Sequence, residues 1–452
     1  MNKLTGEKII KQISKTVEDS CYIDTELFKK HNVKRGLRNE DHTGVVVGLT
    51  KIGDVVGYAR QEDGTTVPIP GKLFYRGISL EDIVLGTQQE NRLGFEETAY
   101  LILSGHLPNK QELKEFSEIL SATMGLNSKI TMHILDLKGD DIMNILARGV
   151  LELYTFDDNP NDTSAENLVK QSLNLVATFP TIIAYAYNAV RHNRGKSLHI
   201  RHPKPNMPLA ENFLYMMKGR NYSPLEVKIL DLALMVHADH GGGNNSTFAV
   251  RVTSSAGTDT YSSISAGISS LKGHLHGGAN LRVVDMLRNI KKNVKDWTNV
   301  KELDDYLIKI LEKKAYNKTG LIYGIGHAIY TISDPRTVLL KKMARDLAIE
   351  KNRLTEYEFY TLIEKRAIHN FMELKGKNVK KQVCANVDFY SGFIYDMIGL
   401  PTEIYTPLFA MARIVGWTAH RIEELNFKQK RIIRPAYKNA AEIKEYMPID
   451  KR

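Results

Sequence analysis

Residues 237–280 read HADHGGGNNSTFAVRVTSSAGTDTYSSISAGISSLKGHLHGGAN. Two histidines flank an aspartate at the start of this stretch, and HLH followed by two glycines closes it. The residues between the two ends are mostly small or hydroxylated, which predicts one tightly packed helix. Because glycine lets the backbone or a ligand approach closely, titratable side chains beside glycines at both ends indicate a functional site.

Helical periodicity surrounds this stretch over most of the chain. Apolar residues recur at helical spacing in segments such as 139–156, 163–192 and 223–239, and we expect Pro180 to interrupt the second of these. Only residues 36–80 show strand character, in short β-branched runs punctuated by glycine and proline. The sequence therefore predicts a mainly α fold with a small β-hairpin region near the N-terminus.

The length of 452 residues is enough for two or three domains of about 150 residues each. Helices between 281 and 380 are more highly charged than the others, which is typical of a smaller unit that moves separately. We therefore predict a large helical domain over residues 1–278 that continues over 400–452, and a small mobile domain over 279–399.

The composition is that of an ordinary globular protein, with 42% hydrophobic and 25% charged residues. We find no run of about 18 apolar residues, which a membrane-spanning helix requires, and the N-terminus lacks the apolar core of a secretory signal. The only two cysteines, Cys21 and Cys384, fit a reducing compartment. These features predict a cytoplasmic protein without a membrane partner.

The net charge of +10 favours an anionic partner, either a nucleic acid or a multiply charged small molecule. However, most basic residues alternate with acidic ones, and the only dense cluster is KGKNVKK at 375–381. Nucleic-acid-binding proteins usually interleave aromatic and basic residues or carry a basic stripe, and neither pattern is evident. We therefore predict no nucleic-acid partner and keep a basic helical nucleic-acid-binding protein as a distant alternative.

The histidines raise the question of a metal site. HADH at 237–240 and HLH at 274–276 supply enough imidazoles for one. No glutamate follows in HExxH spacing, and neither cysteine is near in sequence. We therefore predict no metal and keep a metal-dependent hydrolase as a second distant alternative. Structural roles are the simpler interpretation of four histidines, His106, His133, His274 and His420.

His276 and His327 have settings that suit chemistry. HGGAN follows His276, and a helix beginning there would hold the imidazole neutral, able to donate a hydrogen bond to a carbonyl that becomes an enolate. His327 lies in GIGHAIY, with the tripeptide DPR shortly after it. A turn at Asp334 would aim Arg336 back toward His327, although a capped helix with a surface arginine explains the same residues equally well.

Asp388 and Arg413 are charged residues in apolar surroundings. Asp388, in NVDFYSGFIYDMIG, is either a helix N-cap, which the sequence alone favours, or a base with a raised pKa. Arg413 lies in the apolar helix LFAMARIVGW, where burial requires an acidic side chain or an anionic ligand as partner. Together with the two histidines, these residues indicate proton abstraction beside a carbonyl and carbon–carbon bond formation on a small polycarboxylate.

The chain resembles the citrate synthase family in six ordered motifs over roughly residues 70–440: HADHGGGNNSTF, LKGHLHGGAN, GIGHAIYTISDPR, NVDFYSG, MARIVGW and RIIRP. Upstream, GKLFYRGISLEDI and GFEETAYLILSGHLP resemble the N-terminal motifs of the family. No G-x-G-x-x-G, P-loop or G-x-S-x-G motif supports a dinucleotide, nucleotide or serine-hydrolase function. The resemblance implies a citrate-synthase-like two-domain helical fold and a citrate synthase activity.

The resemblance also implies residue roles. Asp388 would take a proton from the methyl group of acetyl-CoA while His276 donates a hydrogen bond to the thioester oxygen. His327 would polarise the ketone of oxaloacetate as the enol attacks it, and hydrolysis of citryl-CoA would release citrate and CoA. The carboxylates of oxaloacetate would be held by His240, Arg336, Arg413 and Arg434 of the partner subunit.

Further expectations follow from the same resemblance. The family works as a homodimer with shared active sites, and its small domain closes over oxaloacetate before acetyl-CoA engages. CoA contacts are expected at Lys272, Gly273, Lys380 and Lys381. No cofactor is expected, because the CoA thioester is a substrate. The alternative within the family is a 2-methylcitrate synthase that uses propionyl-CoA, and no residue in the sequence decides between them.

The chain departs from the family pattern at four positions. His274 replaces the usual proline, and Ala436 follows RIIRP where many relatives carry a second arginine. Ala328 and Thr331 occupy the places of a basic pair found in many bacterial members. Two contacts to CoA phosphates are therefore missing, and the lysines of 375–381 are the candidates to replace them.

Overall fold

The computed structural model describes residues 3–39, 43–62, 65–375 and 382–451. They fall into two compact units. Residues 49–433 form the first unit, and residues 1–48 with 434–452 form the second. These units do not correspond to the predicted domains, a large one over 1–278 and 400–452 and a small one over 279–399. That division stays a prediction.

The described residues form eighteen α-helices and one small sheet of three strands, so the predicted mainly α fold is confirmed. The strands are β1 (Gly53–Arg60), β2 (Thr66–Tyr75) and β3 (Ile78–Ser79). The helices are α1 (Lys3–Ser20), α2 (Glu26–Lys30), α3 (Leu80–Gln89), α4 (Phe95–Ser104), α5 (Lys110–Thr123), α6 (Ser128–Asp136), α7 (Ile142–Leu153), α8 (Ala165–Asn193), α9 (Leu209–Lys218), α10 (Pro224–His237), α11 (Asn245–Ser255), α12 (Thr260–Lys272), α13 (Ala279–Asn293), α14 (Val300–Leu311), α15 (Pro335–Glu350), α16 (Leu354–Lys375), α17 (Asp388–Ile398) and α18 (Tyr405–Leu425).

The sheet begins later than the sequence suggests. The β-branched run at 44–49 forms only an isolated bridge at Gly44, and its Val46, Val47 and Leu49 are solvent-exposed. β1 and β2 pair antiparallel from Gly53 with Tyr75 to Arg60 with Thr66, and the register shifts between Val56 and Tyr58. β-branching alone does not make a strand, because a strand also needs a partner and a buried face.

α8 shows why Pro180 was a misleading signal. The helix continues unbroken through Pro180, because neighbouring helices pack around its middle and tertiary packing outweighs the lost hydrogen bond. By length and composition α8 is also long and apolar enough to cross a membrane. The sequence did not predict such a helix. However, 83% of its most apolar stretch is buried inside the protein, as in the core helix of a globular domain.

The small-residue stretch forms two helices, α11 and α12, rather than the single helix expected. Gly257 adopts φ +82° just after α11, and the Asp259 side chain caps α12 by accepting from the N–H of Ser262 at 2.8 Å. A Cβ on Gly267 would lie 2.6 Å from Val250 Cγ2, so the small residues let these two helices pack closely.

α18 lies at the centre of the larger unit and is buried along most of its length. Its Arg421 is only 1% exposed and donates to the hydroxyls of Ser254, Ser263 and Thr260. The hydroxylated residues of α11 and α12 thus satisfy a buried guanidinium group, which would otherwise be costly.

In the second unit, α1 carries three isoleucines, Ile9, Ile10 and Ile13, that are about half exposed. Arg434 belongs to this unit and is also exposed.

Candidate active site

His327 and Asp388 are connected through Asn386. The Asn386 Nδ2 donates to the carbonyl of Gly326 at 2.9 Å, and its Oδ1 accepts from the N–H of Asp388 at 3.1 Å. Ile325 and Ala385 form an antiparallel bridge alongside. The segment before His327 and the start of α17 are therefore fixed together, although they are far apart in sequence.

The ring of His327 has a defined tautomer. Its Nδ1 accepts hydrogen bonds from the N–H groups of Ile329 and Tyr330, each at 3.1 Å. An atom that accepts two N–H donors carries no proton, so the proton of the neutral ring is on Nε2. The ring also stacks on Tyr330, with centroids 4.7 Å apart. His327 therefore presents Nε2–H as a donor in a fixed orientation.

His240 lies in the loop after α10, because that helix ends at His237. Its ring packs edge-on against His327 at 5.2 Å and Tyr330 at 5.8 Å. Burial, together with the positive charge of Arg336, holds the His240 pKa well below its usual range. His240 is thus a neutral, buried imidazole, and its Nε2 has no hydrogen-bond partner within the described part of the chain.

His276 lies in the tight loop between α12 and α13. A Cβ on Gly277 would lie 2.4 Å from the carbonyl oxygen of Leu271, so this position needs glycine. Burial, followed by the charge of Arg413, lowers the His276 pKa to about 4. The ring is therefore neutral at physiological pH, as predicted, but burial rather than the helix N-terminus is the main cause.

Asp388 begins α17, yet its side chain does not cap the helix. The capping position is Val387, and the N–H of Asp388 is satisfied by Asn386. The interpretation that the sequence favoured, a helix N-cap, is therefore wrong. Burial raises the Asp388 pKa to about 6, with Arg336 opposing and Asp334 adding to the shift. A partly buried carboxylate with that pKa suits a general base.

Arg413 is buried, and its Nε donates to the carbonyl of His237 at 2.7 Å. The guanidinium group lies over the ring of Phe409, 4.7 Å from its centroid. Both Nη atoms are buried without a hydrogen-bond partner among the described residues. Burial lowers the Arg413 pKa to about 10, so the group remains charged at neutral pH. A paired set of free N–H donors on a buried cation matches a carboxylate.

Arg336 is buried at the first turn of α15 and forms an ion pair with Asp334. The alternative of a surface arginine is therefore excluded. Its position beside Tyr330, 5.7 Å from the ring centroid, places its charge near the paired rings of His240 and His327.

A buried polar chain supports the backbone of the HADH segment. The carboxylate of Asp239 contacts Nε2 of His420 at 3.2 Å and accepts from the N–H of Gly241 at 2.8 Å. Arg251 donates to Nδ1 of His420 at 2.8 Å and pairs with Glu423 at 2.8 Å. His420 therefore has the structural role that the sequence assigned to it.

Two aromatic residues of the site were missed at the sequence level. Phe409 packs edge-on against His237 and His276, and Tyr330 stacks on His327. The spacing of Phe409, four residues before Arg413 on α18, was a usable signal because such pairs share one helix face.

Two of the four candidate CoA contacts, Lys272 and Gly273, lie within the described residues. Lys272 is exposed and pairs with Asp141 at 3.3 Å, and Gly273 ends α12. A cavity of about 500 Å³ beside them is lined by Lys272, His274 and Arg282, together with several acidic residues. Lys380 and Lys381 lie outside the described residues.

Within the described ranges, no group of three or more histidine, cysteine, aspartate or glutamate side chains is arranged to hold a metal ion. His237 ends α10, and His274 and His276 follow the end of α12.

A family model described as "Citrate synthase, C-terminal domain" matches residues 41–436. The chain belongs to the citrate synthase family. It is 35% identical to a citrate synthase of Acidithiobacillus ferridurans over 84% of this chain and 93% of that protein. It is 31% identical to 2-methylcitrate synthase 1 of Corynebacterium glutamicum over 93% of this chain and 98% of that protein.

The fold of this chain is also similar to solved structures of citrate synthases. A citrate synthase from Thermoplasma acidophilum, in a ternary complex with carboxymethyl coenzyme A and oxaloacetate, superposes with a TM-score of 0.73 and 28% sequence identity. The match covers 90% of this chain and 97% of that one. Citrate synthases are acyltransferase-type enzymes, and the neutral histidines, the carboxyl group and the buried arginines described above suit that chemistry.

Proposed function

We propose that this protein condenses acetyl-CoA with oxaloacetate to give citrate and CoA. The observation that carries the proposal is Arg413, a buried cation whose two Nη atoms have no hydrogen-bond partner among the residues that the structure describes. Its charge acts on the pKa of His240, His276 and Asp388. A carboxylate bound to Arg413 would therefore lie among the groups that perform the reaction. The solved complex of the Thermoplasma relative holds oxaloacetate and a CoA analogue, which supports these substrate classes.

Oxaloacetate would bind through its two carboxylates and its ketone. Arg413 offers two N–H donors to one carboxylate, and Arg336, together with Arg434 of the partner subunit, is proposed to hold the other. Neutral His240 is buried, and its Nε2 has no partner in the described part of the chain. We therefore assign it a hydrogen bond to the substrate. The Nε2–H of His327 is proposed to point at the ketone oxygen.

The first chemical step is removal of a proton from the methyl group of acetyl-CoA. Asp388 accepts this proton, because its raised pKa makes the carboxylate a stronger base than that of an ordinary aspartate. His276, neutral at working pH, donates a hydrogen bond to the thioester oxygen as negative charge develops there. Transfer of the imidazole proton to that oxygen completes the enol of acetyl-CoA, and His276 recovers the proton when the thioester carbonyl re-forms in the next step.

The second step forms the carbon–carbon bond. The enol carbon attacks the ketone carbon of oxaloacetate, and the ketone oxygen gains negative charge that His327 stabilises through Nε2–H. Water then hydrolyses the thioester of citryl-CoA, which releases citrate and CoA. Exclusion of water before condensation would prevent wasteful hydrolysis of acetyl-CoA, and closure of the predicted small domain over 279–399 is proposed to supply it.

CoA binding is proposed for Lys272 and Gly273 beside the His276 loop, and for Lys380 and Lys381. Thr331 is buried and Ala328 has no charge, so neither replaces the basic pair of other family members. We further propose that the enzyme is a cytoplasmic homodimer with shared sites and that it uses no cofactor.

The second candidate function is 2-methylcitrate synthesis from propionyl-CoA. It is favoured by the 31% identity to the Corynebacterium 2-methylcitrate synthase. One additional methyl group is worth only about 1–3 kcal/mol of discrimination, so dual use of both thioesters is expected.

The test is release of CoA thiol from purified protein, measured with acetyl-CoA and with propionyl-CoA, each with and without oxaloacetate. We expect thiol release only when oxaloacetate and a thioester are both present. Absence of release with either thioester would refute the proposed function. The Arg413→Gln variant should raise the oxaloacetate KM at least tenfold, whereas an unchanged KM would show that Arg413 does not bind the substrate.

A further inference from the structure

We propose that Asn280 and Ser391 are positioning residues that fix His276 relative to Asp388. This inference rests on the proposed function, because it concerns the two groups that generate the enol. The roles of His276 and Asp388 require that the thioester oxygen and the methyl group meet both side chains at once.

Asn280 and Ser391 connect α13, which begins just after His276, with α17, which begins at Asp388. Asn280 lies in the first turn of α13, four residues after His276, and Ser391 lies in the first turn of α17, three residues after Asp388. The Nδ2 of Asn280 donates to Oγ of Ser391. Both residues are buried, with 4% and 0% exposure. Since residues three apart share a helix face, Ser391 anchors the same side of α17 that carries Asp388.

α13 and α17 pack too closely at this contact for one helix to slide along the other. A Cβ on Gly392 would lie 2.8 Å from Oδ1 of Asn280 and 2.4 Å from Cγ2 of Val284. The backbone of α17 therefore touches the Asn280 amide directly. A shift of either helix start would break the hydrogen bond or create a clash.

The His276 loop has its own anchors on other elements. The N–H of Gly277 donates to the carbonyl of Leu271 at 2.9 Å, and the hydroxyl of Thr406 donates to the carbonyl of Gly277 at 3.2 Å. These bonds fix the loop to α12 and α18. Asn280 supplies the connection from the same turn to α17, and thus to Asp388.

The side-chain oxygen of Asn280 indicates that this residue does more than fill space between the helices. Its Oδ1 is buried without a hydrogen-bond partner among the described residues. A buried unsatisfied acceptor is costly, whereas an apolar pair of the same shape would hold two helices together without that cost. A directional hydrogen bond gives a fixed geometry that apolar contacts do not, which explains an asparagine and a serine at this contact.

The test compares Asn280→Ala, Ser391→Ala and the double variant in steady-state kinetics and in oxaloacetate binding. We expect each single variant to lower kcat about 10- to 100-fold, as misplacement of reacting groups does, while the Kd for oxaloacetate changes less than threefold. The double variant should be no slower than the slower single variant, because residues that act as one unit are not additive.

The matched control is Val284→Ala, which removes packing at the same contact with Gly392 but keeps the hydrogen bond. Its kcat should stay within about threefold of the parent. An equal loss of kcat in this control and in Ser391→Ala would show a merely structural contact and overturn the inference. Unchanged kcat in Ser391→Ala would also overturn it, and this variant decides alone if Asn280→Ala does not fold. Lack of turnover by the parent protein would instead refute the proposed function.

Discussion

Asp334 accepts two hydrogen bonds from the guanidinium group of Arg336, one from Nε at 3.0 Å and one from Nη2 at 2.7 Å. The same carboxylate caps α15 by accepting from the N–H of Arg336 at 3.0 Å. Both side chains are almost fully buried. Nε and one N–H of Nη2 are therefore committed to Asp334, whereas the other N–H of Nη2 and both N–H groups of Nη1 are not engaged by this carboxylate.

The Asp334→Asn substitution should separate the two roles of this carboxylate. Asparagine is also a good N-cap, so α15 keeps its cap while Arg336 loses its negative partner. We expect a loss of about 3–5 kcal/mol in the free energy of unfolding, because a buried charge is left uncompensated. Urea unfolding measures this loss, and a change below 1 kcal/mol would contradict the assigned ion pair.

The pH dependence of the reaction should report Asp388. Its carboxyl group must be ionised to accept a proton, and its pKa is raised to about 6. We expect kcat/KM for acetyl-CoA to fall about tenfold per pH unit below that value. His276 is neutral down to about pH 4 and adds no limb in this window.

The Asp388→Ala variant should fold, bind oxaloacetate and lose condensation. Binding can be followed by calorimetry in the same buffers. Retained turnover in this variant would exclude Asp388 as the base.

The tautomer of His327 can be observed directly. Because Nδ1 accepts from two backbone N–H groups, the imidazole proton should be on Nε2. Long-range ¹H–¹⁵N correlation spectra of labelled protein distinguish the two nitrogens by chemical shift. A protonated Nδ1 at neutral pH would contradict the arrangement in which His327 donates to the ketone.

A buried pair of carboxyl groups should make stability fall as pH rises. Asp231 accepts from the N–H groups at the start of α4, and burial followed by the charge of Glu96 raises its pKa. A carboxyl group with a raised folded-state pKa binds its proton more tightly in the native protein. Its contribution is therefore complete below the unfolded value near 4 and is lost as pH rises through the raised folded value.

We expect Asp231→Asn to be about as stable as the parent near pH 4 and more stable at pH 9. Thermal or urea unfolding at both pH values measures the difference. Equal stability differences at the two pH values would show that Asp231 does not titrate abnormally.

A mixed dimer should reveal whether Arg434 serves the site of its partner. We suggest co-expressing Asp388→Ala chains with Arg434→Ala chains. If Arg434 acts across the interface, each hybrid dimer has one intact site, and random pairing gives about a quarter of the parental activity. If it acts within its own chain, no hybrid site is intact and activity stays at the level of the separate variants.

The sequence singled out candidate reactive side chains from local signals, but it did not describe their surroundings. His276 and His327 were identified from adjacent glycines, a local signal. For Asp388 the local signal was misleading, since an aspartate beside a helix start usually caps it, and here Asn386 satisfies that N–H instead. Which group satisfies a given donor depends on residues from another segment, so a single stretch of sequence does not reveal it.

Helix boundaries, too, depend partly on local sequence and partly on contacts with distant segments. Capping residues such as Asn109 and Ser223 act through their nearest neighbours and lie where local rules place them. By contrast, Pro180 did not interrupt α8, and residues 44–49 did not pair as a strand. Both outcomes depend on what packs against the segment.

For the stretch at 237–280, the sequence by itself determined which side chains are available and that glycines let the chain turn closely beside them. Local rules also explain the break between α11 and α12, because Gly257 and Asp259 are helix-end residues. Only the tertiary structure decided their chemical state. Burial keeps His240 and His276 neutral. The carbonyl of His237 holds Arg413 by one nitrogen, while its other two nitrogens have no partner within the described ranges. Proton affinity and hydrogen-bond pairing depend on desolvation and on distant charges, which exist only once the chain has folded.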